Sequence, residues 1–307
     1  MEPSIRGLPP VALLSLALGV VVAAIELWPI VTAWSLGVTE WWAELPQRLP
    51  VAARSGAMLL LPAAVAWGTP DRDRRNRWLW TGALIVAATQ LLRYPVNFAS
   101  GWLYTTLIEG GTDPSDPLLT VISLGIALVL AIGSVLGIWA LGEGLKDSGG
   151  RSEVAVVVAL VVTIAFGLLL GIPSIMAGLR VDLEVVVSLV SLVVNLLFLF
   201  VEGLLAGRAV AGALNRARPA GAWRAGAIAA MVLWVLPILS LVTLLVSTFV
   251  LVDGTLSVPY LGVATYFGWP LFAVALALGM GRLPVRSPNA LGSSFLVQGT
   301  ARFTPAA

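Results

Sequence analysis

Eight stretches of mostly apolar residues recur along this chain. They lie at roughly 10–34, 51–69, 78–97, 117–141, 154–178, 185–206, 225–252 and 259–281. A helix needs about 20 such residues to cross the hydrocarbon core of a bilayer. Each gap holds charge, Pro or Gly, and the gaps leave no room for a folded water-soluble domain. Composition points the same way. Of 307 residues, 59% are hydrophobic and 11% charged, with mean hydropathy +0.97. A soluble globular chain carries about 25% charged residues. The expectation is an all-α fold, a polytopic transmembrane helix bundle of about eight spans. Residues 1–282 form the transmembrane helical domain. Residues 283–307, rich in Ser, Pro, Gly and Ala, form a disordered cytoplasmic tail. The first span reads as a retained helix rather than a cleaved signal, because its apolar run is too long and Glu26-Leu27-Trp28-Pro29 is a poor cleavage neighbourhood.

Orientation follows from the basic residues, which gather on the cytoplasmic side of membrane proteins. With the N-terminus cytoplasmic, fourteen Arg and Lys fall in inner segments and only Arg48 and Arg180 in outer ones. Arg54 and Arg93 lie within spans. An even span number returns the C-terminus to the cytoplasm. Both termini are therefore expected inside, in a prokaryotic plasma membrane, with the lipid bilayer as the first partner. The basic loops read as topology signals, and no folded basic domain exists to bind nucleic acid. Trp34, Trp41, Trp42 and Trp102 fall near the outer interface. Trp67, Trp78, Trp80, Trp139 and Trp223 fall near the inner one, while Trp234 and Trp269 are expected between helices.

Absent residue types exclude much chemistry. The chain has no His and no Cys. His-ligated haem, thiolate clusters, His-ligated zinc and Ser-His or Cys-His nucleophiles are excluded. No Walker A loop is present, so ATP coupling would require a separate ATPase subunit. No cofactor is expected.

Ionisable residues inside a membrane cost about 2.5–3.5 kcal/mol each on insertion scales. Four need an account: Glu26, Arg54, Arg93 and Glu202. The first three share the outer third of their spans, so an ion pair of Glu26 with Arg93, or second with Arg54, is expected. An anion- or proton-handling site is the alternative. Gln90, Arg93 and Asn97 lie at i, i+3, i+7, on one face of the third span. Ser188, Ser191, Asn195 and Glu202 make a similar face on the sixth, and Ser240, Thr243 and Ser247 on the seventh. Glu202 stands alone at its depth in the inner third. The candidate intramembrane polar site is thus Glu26, Arg54, Gln90, Arg93, Asn97, Asn195 and Glu202. None is assigned a catalytic, cofactor or metal role.

Three further local expectations concern geometry. Pro95 should break the third span, with a short re-entrant or surface helix over 98–110; one long tilted helix is the alternative. Residues 39–45 suggest a turn or two of interfacial helix. Gly133/Gly137, Gly167/Gly171 and Gly203/Gly207 allow close helix approach. The loop lengths of the two four-span halves do not match, so an internal repeat is not expected. The function these features suggest is a permease or the membrane subunit of a transporter. The alternatives are a structural or assembly subunit of a larger membrane complex and, last, a lipid-modifying enzyme.

Overall fold

The computed structural model describes residues 9–39, 42, 45–68, 74–111, 117–146, 151–177, 183–214, 221–250 and 266–280. Among these residues there is no strand, and eight helices account for nearly all of them. They are α1 (Pro10–Ser35), α2 (Leu45–Gly68), α3 (Arg74–Glu109), α4 (Pro117–Leu145), α5 (Arg151–Ala177), α6 (Leu183–Leu214), α7 (Gly221–Val250) and α8 (Gly268–Ala277). Five of them, α1, α2, α4, α6 and α7, contain stretches long and apolar enough to cross a membrane. The expected tail, 283–307, lies outside the described residues, as does most of the 39–45 segment.

Large apolar side chains cover the outside of the bundle. Val20, Val129, Val157, Val161 and Leu168 are each more than half exposed. In water such a surface drives association. Against lipid tails it costs nothing, so these helices suit a membrane location.

Neighbour relations define the architecture. Helices α2, α3, α4, α6, α7 and α8 form a closed ring, each packed on the next, with α8 returning to α2. Outside the ring, α1 packs on α2 and α5 on α6. The pattern repeats after four helices. The pairs α1–α2, α2–α3 and α3–α4 recur as α5–α6, α6–α7 and α7–α8, and the α2–α8 closure is matched by α4–α6. Among the described residues, the neighbour pairs of the first four helices thus recur among the last four. Loop lengths concealed this, because loops tolerate insertion while buried helix faces do not.

One core fills the ring, but only near the end where α4 finishes and α7 begins. It takes Leu61 and Val65 from α2, Leu79 and Val86 from α3, and Ile138 and Leu141 from α4. Leu205, Leu233 and Phe272 bring in α6, α7 and α8. Trp269 is buried there, edge-on to Phe272. Trp223 is buried too, against Gly212.

Small residues set how closely α3 and α4 approach. A Cβ on Gly82 would stand 2.5 Å from the Leu141 nitrogen, and one on Gly137 would stand 2.6 Å from Val86. One on Gly133 would meet Thr89 Oγ1 at 2.6 Å. Gly125 and Gly101 are exposed, and nothing lies within 4 Å of a Cβ on either. Gly203 and Gly207 do the same work between α6 and α5, meeting Ala159 and Ala155.

Two expectations are corrected here. Helix α3 runs unbroken through Pro95 for 36 residues, about 54 Å. Proline removes the donor to one carbonyl, that of Leu91. A full break would leave several backbone groups unpaired, which is costlier where water is scarce. Helix α2 begins at Leu45 rather than near 51. Arg54 therefore lies nine residues inside it, about 14 Å from its start.

Candidate functional site

A cavity of about 420 Å³ lies between α2, α3 and α4, with Phe198 of α6 at its edge. Four of the seven residues singled out from the sequence line it: Arg54, Gln90, Arg93 and Asn97. The hydroxyls of Thr89, Ser100, Ser123 and Ser134 complete its polar lining. The i, i+3, i+7 stripe of α3 thus faces one space, as helical periodicity requires.

The hydrogen bonds sort these groups. Thr89 donates to the Ile85 carbonyl at 2.8 Å, and Ser134 donates to that of Leu130 at 3.0 Å. Ser100 donates to the Asn97 carbonyl at 3.1 Å. Their protons are spent on the backbone. Gln90 is buried, and its Nε2 donates to Ser55 Oγ at 3.0 Å, which ties α3 to α2. Arg93 and Asn97, which line the cavity, are exposed. Arg54 lies over the Tyr266 ring, 5.2 Å from its centroid, an arrangement that favours a cation electrostatically. Neither Arg54 nor Arg93 makes an ion pair among the described residues.

The other three behave differently. Glu26 is not paired with an Arg among the described residues. It accepts a hydrogen bond from the Tyr94 hydroxyl at 2.6 Å, with Ser55 and Gln90 also within reach of that hydroxyl. Tyr94 sits one residue from Arg93, about 100° round the helix, so it meets α1 while Arg93 faces α4. Sequence depth was right, but the side that each residue faces decided the partner. Replacing Tyr94 by Phe leaves the Glu26 carboxylate without this donor. The expected loss is about 1–3 kcal/mol, read by an SDS-unfolding titration. Tyr104→Phe, on an exposed face of the same helix, is the control. Glu26→Gln keeps an acceptor oxygen and should cost less than Tyr94→Phe.

Glu202 is partly buried and does not line the cavity. Arg54 is the one charge that acts on it among the described residues. Asn195 is exposed and lines none of the cavities described.

One buried ion pair escaped the sequence reading. Arg208 Nη1 of α6 stands 2.8 Å from Glu143 Oε1 of α4, with side chains 4% and 23% exposed. The Arg208 Nε–H finds no hydrogen-bond partner among the described residues. Both residues had been placed in inner loops. The signal was present in the sequence after Arg208, where Ala209 to Leu214 stays apolar and carries the helix onward.

An all-helical chain with a polar cavity set among apolar helices is the class this structure defines. Comparison with protein-family models, with curated proteins and with solved structures gives no match.

Proposed function

We propose that this chain is a multi-pass permease, or the membrane subunit of a transporter. It crosses a prokaryotic plasma membrane eight times with both termini cytoplasmic. The observation that carries this reading is the cavity lined by Arg54, Gln90, Arg93 and Asn97. Polar groups in a membrane are costly, and those collected around one space point to a solute path. Two further features support it. The apolar core fills one end of the helix ring, and the cavity lies beyond it. The recurrence of helix neighbour pairs after four helices is in keeping with the internal repeats on which many transporters are built. The fourteen-to-two distribution of basic residues supports a cytoplasmic core end and a cavity on the outer side.

A second reading has its own observation. Helices α1, α2 and α8 enclose an apolar groove of about 410 Å³, lined by Gly19, Ala23, Gly56 and Ala273 among others. Such small residues let another helix approach closely, as in a subunit of a larger complex.

The chain has no Cys, so each introduced thiol is unique. Asn97→Cys and Ser134→Cys in intact cells should react with a membrane-impermeant thiol reagent, Ser134→Cys more slowly. A Cys at 114 should react from the same side, and one at 72 only after permeabilisation. If 114 labels while both cavity positions resist, the cavity is dry or lipid-filled and the transport reading fails. The subunit reading then stands, and mild-detergent co-purification with mass spectrometry should find the partners. Labelling of 72 but not 114 in intact cells would overturn the orientation.

A further inference from the structure

Resting on that cavity reading, we propose that the cavity binds a small oxyanion, a carboxylate- or phosphate-bearing group. The argument is one of charge and donors. Two guanidinium groups, Arg54 and Arg93, line the same space from adjacent helices, and no carboxylate lines it among the described residues. Neither Arg makes an ion pair among those residues, and Glu26 is engaged by Tyr94. Glu202 acts on Arg54 without lining the cavity. The cavity is therefore cationic on balance, in surroundings that solvate charge poorly. An anion entering it offsets that cost for both Arg side chains at once.

The donor set is selective as well. Thr89, Ser100 and Ser134 have already donated to backbone carbonyls. What remains for a ligand is the two guanidinium forks, the Asn97 amide and the Ser123 hydroxyl. These are donors almost throughout, the complement of an oxyanion and a poor match to a cation. A guanidinium fork fits carboxylate or phosphate oxygens in pairs. At about 420 Å³ the space admits a small solute. It also admits an anionic lipid headgroup entering from the side.

The test uses the full chain in phosphatidylcholine nanodiscs. Thermal unfolding and calorimetric titration are followed with inorganic phosphate and with succinate, against chloride at constant ionic strength. One of these oxyanions should bind saturably, and Arg93→Gln should weaken it roughly 10- to 100-fold. Arg93→Lys, which keeps the charge and loses the fork, should fall between. Arg224→Gln, an exposed Arg on α7 outside the cavity, should leave binding unchanged. In a second arm, phosphatidylglycerol is added and retained lipid is read by native mass spectrometry. Lipid held by the wild type and lost in Arg93→Gln identifies a headgroup as the source of the anion. The proposal is overturned if no probe binds, or if Arg93→Gln binds as tightly as wild type. Should it fail while Asn97→Cys still labels from outside, the permease reading survives with an uncharged or cationic cargo. Should labelling also fail, both fall.

Discussion

Replacing Glu143 by Met is expected to destabilise the protein by about 3–5 kcal/mol. Arg208 is only 4% exposed, and Glu143 is the carboxylate that faces it at 2.8 Å. Removing the acid leaves a guanidinium in the interior with its Nε–H already lacking a partner among the described residues. Glu153 contributes a weak attraction from α5 and cannot replace the contact. The double change Glu143→Met with Arg208→Met should recover most of the loss, because buried ion pairs gain little over apolar residues of similar size. The Lys146–Glu153 pair at the same end is the internal comparison. It is 2.9 Å long, but its side chains are 44% and 64% exposed, so solvent screens it. Lys146 holds the Glu153 carboxyl below its ordinary range. Whatever this pair contributes is present above the unfolded pKa and is lost as pH falls through the folded one. Glu153→Gln should therefore move an SDS-unfolding midpoint far less than Glu143→Met. Equal effects would mean that burial is not what gives the α4–α6 pair its weight.

The second large effect is steric. Gly82→Ala should cost about 1–3 kcal/mol or more. Its Cβ would stand 2.5 Å from the Leu141 nitrogen and 2.8 Å from the Gly137 oxygen. Both are backbone atoms, so no side-chain rotation can relieve the contact, and α3 must move away from α4. That movement widens the base of the polar cavity. Gly125→Ala on α4 is the matched control. Nothing lies within 4 Å of its added Cβ, and alanine gains up to about 1 kcal/mol of helix propensity over glycine. Opposite signs for the two substitutions, measured in one unfolding assay, are the expected result. A neutral Gly82→Ala would show that the α3–α4 approach is looser than described.

Much of the candidate site was legible before the fold was known. Arg54, Gln90, Arg93 and Asn97 stood out because charge and amide groups are rare in apolar helices, and the α3 residues share one face by simple periodicity. Their convergence on one cavity needed only that α2, α3 and α4 be neighbours. The partner of Glu26 was not legible. Depth along a helix is countable from sequence, but which neighbour a face meets depends on the rotation of each helix. Tyr94 and Arg93, adjacent in sequence, face different helices for that reason. Arg208 was misplaced because a charge was read as marking a loop, whereas the small apolar residues beyond it keep the helix going and Glu143 makes its burial tolerable.

The apolar runs alone determined that the chain is helical and roughly where its helices lie, but not the start of α2 or the continuation of α3 through Pro95, because an apolar helix meets the backbone's need for internal hydrogen bonds while its ends depend on what packs around them. The absence of His and Cys alone determined which chemistries are excluded. Tertiary structure alone decided that the described helices close into a ring, with α1 and α5 outside it. It also decided that the core fills one end and that α2, α3 and α4 frame a polar cavity beyond it. These depend on which small residues meet across an interface, and contacts between helices distant in sequence leave no periodic mark within either one.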